Sequence, residues 1–355
     1  MKKPQVIAFY LPQFYPTPEN DKWWGEGFTE WTNVAKARPL FKGHYQPKLP
    51  GKLGFYDLRL PETREAQADL AREAGVDAFC YWHYWFNGRR LLDRVFTEVV
   101  DSGKPEFPFC LCWANHSWYQ KTWDPNKPNR LLMEQTYPGE QDYIAHFNAM
   151  LPAFMDNRYL KVNGKLVFGI FEADAIPSFA LMKEIWNRMA VEHGLEGFYF
   201  FGLAQGEKRA NVIVKEGYDA VVYDNLQTVY ARNWSLTRRA LDKTLHRPHV
   251  IVYEQYVKET IAYFKEHPNY IPCLVPNFDH SPRSGKKGII LHQSTPQKWE
   301  HLFKEIYEIQ IQNELPLLVI KSWNEWGEGN YLEPDMEFGD EYIQSMHRSF
   351  GGDNR

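Results

Sequence analysis

Leu317-Leu318-Val319-Ile320, followed across Lys321-Ser322 by Trp323-Asn324-Glu325-Trp326-Gly327-Glu328-Gly329-Asn330, is the stretch on which the reading of this chain turns. A short, uninterrupted apolar run is what a strand of a helix-covered parallel sheet looks like. Its exit carries two carboxylates three residues apart, flanked by indoles and glycines. Side chains three apart on a strand point to opposite faces, so both acids serve one site only if the chain turns between them. Gly327 and Gly329 permit that turn. The alternative is a surface loop with two solvated glutamates, and two tryptophans beside them argue against it.

Seven further apolar runs share this strand character: Val6 to Leu11, Ala78 to Trp85, Phe107 to Trp113, Leu166 to Phe171, Phe198 to Leu203, Ala220 to Tyr223 and Ile271 to Val275. Helical segments separate them. Pro61-Glu62-Thr63 opens a helix that Gly75 closes, and Ser178 to Glu192 carries apolar residues at helical spacing before Gly194. Thr295-Pro296 opens another, with Trp299, Leu302, Phe303, Ile306 and Tyr307 on one stripe. Eight strand-helix units predict a single (β/α)8 TIM-like barrel over residues 1–355. Two excursions interrupt the regular plan. Residues 12–61, after the first strand, hold prolines, glycines and tryptophans but little helical periodicity. Residues 225–269, between the sixth and seventh strands, carry helical patterns around 236–245 and 254–264.

Lys and Arg number 41 against 45 Asp and Glu, a net charge of −4, so no positive field exists to gather nucleic acid or an anionic membrane surface. No run approaches the ~18 apolar residues of a membrane span. Pro12 ends the first apolar run before a signal-peptide core could form, which predicts a cytoplasmic protein. Cys80, Cys110, Cys112 and Cys273 lack disulfide or zinc-ribbon spacing and read as reduced core thiols. Aromatic residues make up 16 % of the chain and crowd the strand ends, where flat amphipathic rings suit a sugar.

In a (β/α) barrel the site lies at the C-terminal strand ends. The candidates there are Tyr10 on the first strand, His83 and Trp85 on the second, Trp113, Asn115 and His116 on the third, and Glu172 on the fourth. Asp279 follows the seventh strand, and Asn324, Glu325, Trp326, Glu328 and Tyr331 follow the eighth. His83 and His116 have no metal-site spacing and read as hydrogen-bonding histidines. Asp174 reads as a cap for the helix opening at Pro177-Ser178. Cleaving a glycosidic bond requires an acid to protonate the departing oxygen and a second carboxylate as nucleophile or base, and Glu325 and Glu328 supply the pair.

Several of these segments are also familiar as sequence. Ala8-Phe9-Tyr10-Leu11-Pro12-Gln13-Phe14, Trp23-Trp24-Gly25 with Gly27-Phe28-Thr29-Glu30-Trp31, Phe55-Tyr56-Asp57-Leu58-Arg59, His83-Tyr84-Trp85-Phe86-Asn87-Gly88, Phe109 to Asn115 and Trp323 to Asp335 resemble the WbsX family, found with bacterial surface-polysaccharide genes. That family is similar to glycoside hydrolase family 99, retaining endo-α-mannosidases with a (β/α)8 barrel. The resemblance implies Glu325 as the base that deprotonates a sugar 2-hydroxyl and Glu328 as the general acid, by way of a 1,2-anhydro sugar. It places Tyr10 in the subsite of cleavage and implies a polysaccharide or oligosaccharide substrate, with no metal or cofactor. Relatives commonly carry a glutamate where this chain has His116, which implies a different preferred sugar or linkage. A glycosyltransferase or transglycosylase of lipopolysaccharide O-antigen or capsule assembly is the competing expectation. Against a nucleotide-sugar enzyme, the chain has no Asp-x-Asp pair and no G-x-G-x-x-G after a strand.

Overall fold

The structure is a computed structural model that describes residues 3–120, 129–233, 244 and 248–350. Eight parallel strands form its centre: β1 (Gln5–Tyr10), β2 (Ala78–Phe86), β3 (Phe109–Trp113), β4 (Lys165–Ile170), β5 (Phe198–Ala204), β6 (Ala220–Asp224), β7 (Ile271–Leu274) and β8 (Leu317–Ile320). They pair in chain order, and β1 closes the ring by pairing with both β8 (Val6 with Leu318) and β2 (Tyr10 with Tyr81). Helices follow each strand in turn: α1 (Pro61–Glu73), α2 (Arg94–Ser102), α3 (Glu140–Phe154), α4 (Phe179–Glu192), α5 (Glu207–Lys215), α6 (Tyr253–Glu266), α7 (Pro296–Gln312) and α8 (Glu341–Ser349). The predicted (β/α)8 barrel is therefore the fold, with all eight strands where the apolar runs placed them. Among the described residues no helix is long and apolar enough to cross a membrane.

The two excursions are more ordered than their patterning suggests. Residues 12–61 contain helices Pro18–Trp24 and Glu30–Lys36, and Thr17 caps the first by accepting from the Asn20 backbone N–H at 3.2 Å. The second excursion holds Leu226–Asn233 and then α6. The helix expected over 236–245 lies outside the described residues, Thr244 apart. Above the barrel, His249–Val252 pairs with Ile289–His292, which pairs with Phe278–Asp279. This small sheet anchors the short helix Ser281–Ser284 beyond β7.

Side-chain parity decides what reaches the barrel's interior, because successive residues of a strand face opposite ways. Phe9 turns inward and stacks on Trp82 at 4.4 Å, whereas Tyr10 turns outward and donates to Gln67 Oε1 on α1 at 2.7 Å. All four cysteines are buried and free. Gly169 leaves room in the interior for Phe201 and Cys112: a Cβ there would lie 2.3 Å from Phe201 Cζ and 2.8 Å from Cys112 Sγ. Gly169→Ala is expected to destabilise the barrel by roughly 1–3 kcal/mol through overpacking, and urea unfolding would measure it. An unchanged midpoint and slope would contradict this packing.

Candidate active site

The exit of β8 is bolted to β1 before it turns. The Trp323 N–H donates to Phe9 O at 2.8 Å, and the Asn324 side chain accepts from Leu11 N–H at 2.7 Å and donates to Leu11 O at 3.1 Å. Asn324–Glu325 then pairs back on Asn330–Tyr331, enclosing a 3₁₀ turn at Trp326–Glu328. Gly329 takes φ +53° where an added Cβ would lie 2.9 Å from Asp279 Cβ. At Gly327 a Cβ would fall 1.9 Å from Glu30 Oε2 and 3.0 Å from Arg283 Nε, so only glycine lets those two side chains lie against the turn.

The turn brings Glu325 and Glu328 to one guanidinium. Arg283 Nη1 donates to Glu328 Oε1 at 2.5 Å, and Nη2 contacts Glu325 Oε2 at 3.3 Å and Glu30 Oε2 at 3.0 Å. Three carboxylates from the loops after β1 and β8 thus share one cation from the loop after β7. His280 Nε2 stands 3.8 Å from Glu328 Oε1. Tyr84, buried on β2, has its hydroxyl pushed up by burial and by the nearby Glu325 and Glu30 charges, against the pull of Arg283.

The two acids differ in electrostatic surroundings. Burial, followed by the Glu328 charge, pushes the Glu325 carboxyl up to about 7, against the pull of Arg283. Burial also pushes Glu328 up, but Arg283, His280 and Lys321 together outweigh it and hold this carboxyl below its ordinary value. Near neutral pH the proton shared by the unliganded pair is therefore favoured on Glu325 over Glu328. Lys321 is itself paired with Asp224 Oδ2 at 3.0 Å.

A second polar tier lies underneath. Glu333, 1 % exposed, accepts from Trp326 Nε1 at 2.6 Å, Gln67 Nε2 at 2.6 Å and the Tyr56 hydroxyl at 2.8 Å. Burial pushes its carboxyl up to about 7 while these donors pull it down, and donors that converge from three sides favour the ionised form.

Of the other predicted residues, His116 and Glu172 lie at the rim, and the rest are held elsewhere. The His116 ring packs on Phe171 at 5.3 Å, its Nδ1 has no hydrogen-bond partner among the described residues, and burial lowers its basicity. Glu172 is half-buried, 4.0 Å from Arg209, which also pairs with Asp174 at 2.8 Å in place of the expected helix cap. His83 and Trp85 belong to the opposite parity from the one expected. His83 meets His146 of α3 at 2.8 Å, and Trp85 donates to Asp142 of the same helix at 2.9 Å. Trp82 and Tyr84 are the inward residues of β2. Trp113 turns toward His146 and Tyr137 in the helix layer, as Tyr10 turns toward Gln67. Asn115 is spent on Tyr137 and on the Glu172 backbone, as Asn324 is on Leu11. Asp279 is occupied by His44 Nε2 at 2.7 Å and Gln46 Nε2 at 2.6 Å. Trp326 stacks on Tyr331 at 3.7 Å beneath the acid-bearing turn, and the Tyr331 hydroxyl donates to Asp335.

Arg283 and Glu30 were absent from the sequence-based candidates, and His280 and Tyr84, although at strand ends the sequence marks, were not chosen as site residues. The signal for Tyr84 was strand parity; Arg283 and Glu30 sit in irregular loops where spacing carries no direction. A cavity of about 250 Å³ lies behind the turn, lined by His44, Lys48, His292, Tyr331 and Glu337 rather than by the two acids. The acids themselves lie under Arg283, whose side chain is 25 % exposed.

A family model described as "Glycosyltransferase WbsX" matches residues 6–346. The protein WxcX of Xanthomonas campestris pv. campestris, itself uncharacterized, is 32 % identical over 352 residues in each of two strains. That match covers 97 % of this chain and 49 % of WxcX, so the chain spans about half the length of these relatives. Among solved structures, a glycoside hydrolase-like protein superposes with TM-score 0.61 at 14 % identity, covering 99 % of this chain and 94 % of that one. The GH99 endo-alpha-mannosidase from Bacteroides thetaiotaomicron gives TM-score 0.58 at 16 % identity, covering 98 % and 96 %. At such identity the likeness is one of fold, a glycosidase-like barrel. The family match, spanning nearly the whole sequence, assigns the chain to the WbsX family.

Proposed function

We propose that the chain is a glycoside hydrolase of the family 99-like type, endo-acting on an α-linked, mannose-containing or related polysaccharide. One observation carries the reading: Glu325 and Glu328 meet at a single guanidinium at the C-terminal end of β8. In this reading Glu325 takes the proton of a sugar 2-hydroxyl while its oxygen attacks the anomeric carbon, and Glu328 gives its proton to the departing oxygen. A 1,2-anhydro sugar results. Water then opens it, with Glu328 taking a proton from the water and Glu325 returning one to the 2-oxygen, so both acids end as they began. His116 and Glu172 on the rim contact the sugar in this proposal.

The family description favours a second reading, transfer from a nucleotide sugar during polysaccharide assembly. Calorimetry with a panel of nucleotide sugars separates the two. Binding heat without glycan cleavage would replace the hydrolase reading.

Glu325→Gln and Glu328→Gln are each expected to lower turnover of α-mannan or surface-polysaccharide fragments by on the order of 10²–10⁴ while leaving the fold intact. Product analysis by mass spectrometry reads this, and full turnover by either variant would remove the assignment. Stability gives an independent check. A carboxyl whose folded pKa lies near 7, above its ordinary 4.5, binds its proton more tightly folded than unfolded, so it destabilises the fold increasingly as pH rises through that interval. Glu325→Gln should therefore be more stable than the parent by on the order of 1–3 kcal/mol at pH 8, with the difference vanishing near pH 4.5. Denaturation at several pH values measures it, and a pH-independent difference would contradict the buried-acid account.

A further inference from the structure

The proposed chemistry needs the proton on Glu328 and a bare carboxylate at Glu325, and the resting contacts of Arg283 favour the reverse. The cause is visible in the contacts. Arg283 lies closer to Glu328, at 2.5 Å, than to Glu325, at 3.3 Å, and His280 adds a second nitrogen beside Glu328. Glu325 instead shares the other end of the guanidinium with Glu30. Among the described residues, the charged and titratable groups acting most strongly on the pair are Arg283 and His280 after β7, Glu30 after β1 and Lys321 after β8, and Tyr84 on β2 is coupled to the same charges.

We propose that Arg283 is a positioning residue that decides which glutamate carries the shared proton, and that its shift from Glu328 toward Glu325 and Glu30 readies the pair for chemistry. The inference rests on the glycoside-cleaving reading of the site. In the resting arrangement the guanidinium holds Glu328 as the carboxylate and leaves the shared proton to Glu325. A glycosidic oxygen entering beside Glu328 displaces the Nη1 contact. Glu328 then loses the cation that kept it ionised, and the guanidinium closes on Glu325, which it already touches at 3.3 Å. The proton leaves a Glu325 oxygen and arrives on a Glu328 oxygen, directly or through a substrate hydroxyl, with no other covalent bond changed and the net charge of the site unaltered. Glu30 is the pivot, since it holds Arg283 through both Nε, at 3.2 Å, and Nη2, at 3.0 Å, leaving Nη1 to swing. Gly327 leaves the space this pivot occupies. A guanidinium suits the task because its fork spans two carboxylates, which a lysine ammonium does not.

Glu328 can be titrated in the free protein, with no substrate, by carbon-13 NMR of the glutamate carboxyls, its signal being the one lost on Glu328→Gln. In Glu325→Gln it should titrate below the ordinary glutamate value, and adding Arg283→Gln should raise its midpoint by about one pH unit or more. Arg283→Lys, the fallback if the glutamine variant fails to fold, should give a smaller upward shift. Both limbs of the kcat/KM profile of Arg283→Gln should move to higher pH, with kcat falling more than KM changes. A Glu328 midpoint that ignores Arg283, or a variant with lower activity but unmoved limbs, overturns the proposal and leaves Arg283 a structural residue. Because the NMR titration involves no glycan, it stands or falls separately from the hydrolase reading, which the cleavage assay tests.

Discussion

One guanidinium placed among three carboxylates is the constraint on which the site depends. Glu30, Glu325 and Glu328 arrive from two separate loops into a space that excludes most water, and three buried like charges without a cation would repel and draw up protons. Arg283 makes the cluster tolerable. Its contacts are unequal, and that inequality lets two glutamates of the same sequence motif sit in different protonation states, one poised near neutrality and one ionised. Acid-base chemistry at neutral pH requires such a separation.

The barrel supplies this arrangement in layers. Closure of β1 on β8 brings the excursion carrying Glu30 beside the turn carrying both acids, and the small sheet beyond β7 holds Ser281–Ser284, with Arg283, over them. Glu333 gathers donors from Trp326, Gln67 and Tyr56, tying the turn to α1 and to the first excursion. Tyr10 belongs to this tier through Gln67. The residues beneath the acids thus act mainly as support, and in the proposed reading His116, Glu172, Tyr84 and the acids are the side chains that meet the substrate.

The fold was legible because strand burial writes itself as apolar runs, and eight such runs with helical stretches between them leave few architectures. The acid pair was legible for a similar reason, since glycines and indoles around two glutamates at a strand exit mark a turn. The direction of individual side chains was not. Period two makes a one-residue error in parity turn every side chain of a strand the wrong way, which put His83 and Trp85 at the rim in place of Trp82 and Tyr84. Asn115, Asn324 and Asp279 look like polar recognition residues by type, yet their atoms are consumed by neighbouring backbone and side chains, which only coordinates reveal. Arg283 and Glu30, 253 positions apart in the chain, meet through closure of the barrel and have no shared signal in the sequence.

The most direct test of the central claim, that Glu325 and Glu328 work on one sugar, is a crystal structure of the Glu325→Gln protein with an uncleaved oligosaccharide bound. The account predicts a sugar ring at the end of β8, its 2-hydroxyl within about 3 Å of the residue 325 amide and its glycosidic oxygen equally close to Glu328, with Arg283 drawn off Glu328. A glycan seated instead in the cavity lined by Lys48, His292 and Glu337, with Arg283 still bridging both positions, would contradict it.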